Sequence, residues 1–162
     1  MHGMRRVWLV GAFRGVMAAL VLVVGVTGCG GGHSEGSRGH TAGVAETVKE
    51  AAEFGGLVIP AGVTVLDARF DRGIDMRYRL ALSTEQQGLT LLLKASNFVA
   101  PLAKADRVIE AAIAGPPLDT SPSILQAGDV YWNPDKRRVH RVVTVDERDA
   151  TTRFVHVELY TT

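Results

Sequence analysis

An α+β fold is predicted: an antiparallel sheet, made of an N-terminal hairpin and a C-terminal three-stranded meander, with one or two helices packed on one face. Three observations predict it. Strand-like alternation lies on both sides of Asp71-Arg72-Gly73, leucines recur at helical spacing after Ser83, and three more alternating runs follow Gly128. Strands grouped at the two ends of the domain, with helical segments between them, are the pattern of a segregated α+β architecture.

The first strands lie in "IPAGVTVLDARFDRGIDMRYRLALS". A three-residue loop ending in Gly73 is a type I turn followed by a bulge, in which glycine supplies the positive φ. That loop pairs Phe70 with Ile74, Ala68 with Met76 and Leu66 with Tyr78 on the core side. On the other face Arg69 then meets Asp75 and Asp67 meets Arg77, so opposite charges support the register. Arg79 is left opposite Val65, the one basic residue of this face free to bind an anionic group.

"STEQQGLTLLLKASNF" predicts a helix with Ser83 or Thr84 as cap, Gln86 or Gln87 completing a capping box, and Leu89, Leu92 and Leu93 facing inward. Gly88 weakens it by about 1 kcal/mol relative to Ala, and Asn97 stops it. "LAKADRVIEAAIAGPP" places Val108, Ile109, Ala112 and Ile113 at helical spacing and predicts a second helix closed by Gly115 and two prolines. The meander is "DVYWN", "RRVHRVVTV" and "TRFVHVELYT", with turns at Pro134–Lys136 and Asp146–Ala150. Keeping both apolar sets on one face sets Val139 opposite Val157, His140 opposite His156 and Arg138 opposite Glu158. His140, His156 and Arg79 are therefore the candidate ligand or surface residues. No third ligand accompanies the two histidines, so no metal site and no cofactor is assigned.

Before this domain, Met1 to Arg14 is basic and "GVMAALVLVVGV" is uncharged, the order of a signal peptide's n-region and h-region. The run is shorter than the roughly 18 to 20 apolar residues a membrane span needs. It ends in "VTGC", Val26 to Cys29, which resembles a bacterial lipobox. The resemblance implies cleavage before Cys29, a diacylglyceryl group on its sulfur, and a chain exported and lipid-anchored to the outer face of the bacterial cell membrane. Two acyl chains supply the double hydrophobic signal that stable anchoring requires. Cys29 is the chain's single cysteine, so an internal disulfide is excluded. In composition the chain is similar to the small lipoproteins of high-GC (actinobacterial) bacteria.

The expected organisation is a signal peptide over 1–28, a flexible Gly/Ser/His tether over 29–43, a short helix over 44–54 carrying Val44, Val48, Ala51 and Ala52, and one globular domain over 55–162. Of eighteen basic side chains, Arg5, Arg6 and Arg14 precede Cys29, leaving fifteen against seventeen acids. So balanced a chain has no general attraction to nucleic acid or to anionic lipid headgroups. "GxSxG", "HExxH", P-loop and dinucleotide motifs are absent from the folded part. The expected function is a non-enzymatic interaction or accessory module that contacts an envelope protein through exposed aromatics, with Tyr131, Trp132, Phe154 and Tyr160 as candidates. The alternatives are a carrier or sensor of a small apolar or anionic ligand, marked by a cavity of a few hundred Å³, and an envelope-polymer hydrolase.

Overall fold

The computed structural model describes residues 35–108 and 111–162, with side chains from Gly43 onward. The predicted signal segment, Cys29 and the start of the predicted tether lie outside the described residues. A helix α1 (Glu35–Gly55) leads into strands β1 (Thr64–Arg72) and β2 (Met76–Glu85), then helix α2 (Gln86–Ala95). A two-residue strand β3 (Ala103–Lys104) and a 3-10 turn at Leu118–Thr120 precede β4 (Ile124–Trp132), β5 (Arg138–Asp146) and β6 (Thr152–Tyr160). All six strands form one antiparallel sheet in the order β1-β2-β6-β5-β4-β3, so the hairpin and the meander join where β6 pairs with β2. The fold is α+β, with both helices against the same sheet face.

On that face the alternation buries Tyr78, Leu80 and Leu82 of β2, Val155, Val157 and Leu159 of β6, and Val139, Val143 and Val145 of β5. Phe54 of α1 and Leu89 and Leu92 of α2 close over them. The Phe54 ring lies 5.2 Å from that of Tyr78, whose hydroxyl donates to Glu50 Oε2. Burial, reinforced by the Glu50 charge, pushes the Tyr78 hydroxyl pKa up. The helix starts at Glu35 rather than at Val44, running through residues whose composition reads as tether. Once Val44, Val48 and Phe54 are held by packing, each added residue contributes a further hydrogen bond at little cost, so the helix propagates into weak formers.

Helix α2 departs from its predicted start because β2 continues to Glu85, paired with Thr152. Ser83 and Thr84 are strand residues, and the N-cap Glu85 makes no side-chain capping bond. Thr84 Oγ1 instead donates to the Gly62 carbonyl at 3.2 Å, in a position where a Cβ on Gly88 would meet it at 1.9 Å. Gly88 is thus required by a close approach that outweighs its poor helix propensity. Asn97, in the left-handed region at φ 48°, ends the helix as expected.

The predicted second helix does not form. Its described residues are irregular after β3, and they cross the face of the sheet opposite the helices, where Leu118 is buried and Ile113 half-buried. A bare apolar sheet face outcompetes the weak helical stripe for these side chains.

Both predicted registers are displaced by four residues. Phe70 pairs with Tyr78 rather than Ile74, Ala68 with Leu80, and Arg69 with Arg79, with the hairpin turning at Gly73-Ile74-Asp75. A register shift between Val65 and Asp67 places a bulge at Leu66, which is 38% exposed instead of facing the core. In the meander Val143, not Val139, pairs with Val157, and Val142, not Arg138, pairs with Glu158. Away from the bulge, which turns Leu66 outward and Val65 toward the core, an even displacement leaves the strand side chains on their predicted faces, so the hydrophobic pattern could not detect it.

Candidate functional site

Arg141 stands on the helix-facing side between Val139 and Val143 and is 2% exposed. Its Nε and Nη2 donate to the two Asp129 oxygens at 2.7 Å each. Nη1 reaches the carbonyls of Gly55 (3.2 Å) and Ser96 (2.9 Å), and Nη2 that of Asn97 (3.2 Å). All five N–H groups of the guanidinium are satisfied, and the plane sits between the rings of Phe98 (5.0 Å) and Tyr131 (5.2 Å). One side chain therefore receives the carbonyl ends of both helices, where partial negative charge collects. Its role is architectural.

The opposite face holds the chemistry-bearing residues. The covering segment and the sheet enclose a cavity of about 40 Å³ lined by Arg79, Gln126, Thr144, His156 and Glu158, with Ile113 and Leu118 above. Gln126 Nε2 donates to Thr144 Oγ1 at 3.0 Å. His156 Nε2 is buried and has no hydrogen-bond partner. Burial pushes the His156 pKa down, opposed by the negative charge of Asp146. At one end of the cover, fully buried Asp146 accepts a hydrogen bond from Ser121 Oγ and two from Arg148, whose other N–H groups bind the Thr120 and Pro117 carbonyls. That clip ties the covering segment to the end of β5.

Ser121, Asp146 and His156 share this face, yet their order is not that of a nucleophile with its base. The hydroxyl donates directly to the carboxylate, and no imidazole stands between them to accept the serine proton. The small cavity can hold a few waters or a compact polar group, not a polymer substrate.

Of the residues singled out from sequence, the structure brings Arg79 and His156 together at this cavity. Arg79 is not the free cation expected, because Asp71 is two residues along on the paired strand and holds its Nε at 2.8 Å. His140 does not face His156: it pairs with Tyr160 and stacks on that ring at 5.1 Å, while His156 pairs with Thr144. Cys29 lies outside the described residues. Among the described residues no three His, Cys, Asp or Glu side chains converge as metal ligands. The aromatics also separate. Tyr131 points toward the helices and Trp132, 64% exposed, toward the other face, while Phe154 lies near Gly115 of the covering segment. No described helix is long and apolar enough to cross a membrane.

No protein-family model, curated protein or solved structure matches the chain.

Proposed function

We propose that the chain is an exported lipoprotein, anchored through a diacylglyceryl group on Cys29 to the outer face of the bacterial cell membrane, whose domain is a non-enzymatic interaction or accessory module. The observation that carries the anchor is the order of a basic segment, an uncharged run, Val26-Thr27-Gly28 and a lone cysteine. A binding module is favoured over an apolar-ligand carrier because the space between helices and sheet is occupied by Phe54, Leu57, Leu80, Leu82, Leu89 and Leu92, each less than 10% exposed. The direct Ser121–Asp146 hydrogen bond weighs against a serine hydrolase.

Mass spectrometry of the membrane-extracted protein tests this reading. The expected product begins at Cys29 and carries the mass of a diacylglyceryl thioether, and Cys29→Ser abolishes both. An unmodified chain beginning at Met1 overturns the anchor. Reproducible co-purification of one envelope protein, lost on substitution of an exposed surface residue such as Trp132, is the result expected of a module that works by contact.

A further inference from the structure

The end of the sheet that carries the β1–β2 and β4–β5 turns has three features in common with an interfacial lipid-binding surface. First, the two turns lie at one end. Arg77 of β2 pairs with Tyr160, Tyr160 with His140, and His140 with Val130, and Arg137 Nη1 contacts Met76 Sδ at 3.6 Å between the turns. Second, each turn presents an apolar side chain that the fold does not use: Ile74 is wholly exposed, and Trp132 is 64% exposed beside Val130 at 40%. Ile74 and Trp132 are separated by about three strand spacings, roughly 14 Å. They are two separate exposed apolar side chains at one end of the sheet rather than one contiguous hot spot for a protein partner.

The third feature is charge. Asp71 is held by Arg79 and Glu158 by Arg77, so those acids are locally matched. Lys136 and Arg137 in the β4–β5 turn and Arg138 at the start of β5 follow one another, are exposed, and form no ion pair with any described residue. Arg72 adds an exposed cation at the other turn, lying 5.6 Å over the Phe70 ring. At the β4–β5 turn the three cations outweigh Asp135, while at the β1–β2 turn Arg72 is set against Asp75 and against Glu50, which accepts from the Tyr78 hydroxyl. A chain balanced in total therefore carries a local basic cluster beside Trp132, which a total count of charges does not reveal.

We propose that this end docks the domain onto an anionic lipid surface, with Ile74 and Trp132 entering the interfacial layer and Lys136, Arg137 and Arg138 meeting the headgroups. Tryptophan favours that layer, and each basic side chain close to an anionic surface strengthens binding severalfold. The inference rests on the lipoprotein reading only for how the domain comes to the membrane. There, five residues, Gly30 to Ser34, separate Cys29 from the start of α1, a reach of at most about 20 Å even when extended. So short a link raises the local lipid concentration enough for a weak second contact to be occupied.

The test uses the full chain carrying Cys29→Ser, which removes acylation, and Trp8→Phe, which leaves Trp132 as the only tryptophan. Trp132 emission is followed with phosphatidylcholine vesicles, with phosphatidylcholine–phosphatidylglycerol vesicles, and with both containing brominated acyl chains. The expected result is a blue shift and bromine quenching that need phosphatidylglycerol and are reversed by salt. Lys136→Gln/Arg137→Gln/Arg138→Gln should raise the phosphatidylglycerol-vesicle concentration needed for half of the blue shift about a hundredfold, and Ile74→Asp should also raise it without unfolding the domain, since that side chain is wholly exposed. Any anchoring by the apolar N-terminal segment is common to all variants, so the comparison among them isolates the contribution of the substituted residues. Emission indifferent to phosphatidylglycerol, or unaltered by the triple substitution, overturns the proposal. Failure of the lipoprotein reading shows separately, as an unacylated chain in the mass spectrum, and leaves this vesicle result unchanged.

Discussion

Replacing Arg141 with Met keeps a long apolar stem and deletes the guanidinium, which isolates the consequence of losing its five hydrogen bonds. Asp129, with a side chain only 5% exposed, is left with the Val99 amide as its donor, and the Gly55, Ser96 and Asn97 carbonyls each lose a partner. Removing one partner of a buried ion pair costs about 3–5 kcal/mol. The carbonyls add less, because the exposed Asn97 end can take up water. At about 4 °C per kcal/mol for a domain of this size, Tm should fall by roughly 12–20 °C. Equilibrium urea unfolding followed by circular dichroism gives the free energy directly. Arg141→Lys should recover only part of the loss, because an ammonium has three donors and cannot make the two-pronged contact with Asp129. Arg141→Met combined with Asp129→Leu should be less damaging than the sum of the singles, since no buried charge remains unpaired. A cost below about 1 kcal/mol for Arg141→Met would refute the assignment of this side chain as the joint between the two helix ends.

Gly88→Ala should destabilise even though Ala is the better helix former by about 1 kcal/mol, since its Cβ meets anchored Thr84 Oγ1 at 1.9 Å and such overpacking costs about 1–3 kcal/mol. Thr84→Ala in the same chain should relieve most of that loss, and a higher urea midpoint for Gly88→Ala alone would count against the contact. For His156, burial lowers the folded-state pKa below the ordinary 6.5, so the unfolded chain binds the proton more readily. Its contribution to stability is therefore full above about pH 6.5 and is lost as the pH falls from there through the folded value. Arg79 from β2, Asp146 from β5 and Glu158 from β6 are the charged groups around it, and Asp146 moderates the loss. Urea midpoints measured from about pH 8 to pH 5 should decline less steeply in His156→Gln, and identical slopes would remove the role assigned to this imidazole.

The alternation in "RRVHRVVTV" and "TRFVHVELYT" was enough to place Val139, Val143 and Val145 with Val155, Val157 and Leu159 on a buried face. It was not enough to say which residue meets which. The side-chain period of a strand is two, so a slide of four residues returns every side chain to its own face and conserves the hydrophobic match. Only the turn distinguishes the alternatives, and both turns lie further along the chain than local glycine and aspartate signals implied: Arg72 pairs with Met76 around Gly73-Ile74-Asp75, and Asp146 pairs with Phe154. The cost fell on the functional reading, because the facing of His140 by His156 depended wholly on register. By contrast, Arg141, not singled out from the sequence, carried a signal that could have been read there. A basic residue at the inward position between Val139 and Val143 has to find an acid and acceptors inside the fold, and the inward alternation of β4 carries Asp129 to it.

The meeting of Arg79 and His156 has a different origin, since neither lies in the other's hairpin. It follows from β6 entering the sheet between β2 and β5. That insertion pairs Arg79 with Glu158 and Ala81 with His156, and it makes β6 the strand flanked by both halves of the fold. Its Val155, Val157 and Leu159 are all at most 2% exposed, which is what a central strand requires. β5 shows the same run of buried valines, so strand composition alone leaves two candidates for the centre. The choice is made by a contact between the hairpin and the meander, separated by α2 and the covering segment. A site assembled across that seam is invisible to any reading that proceeds element by element, and the same holds for the end of the sheet that carries Ile74 and Trp132, where two turns three strand spacings apart come together only because β6 joins the hairpin to the meander.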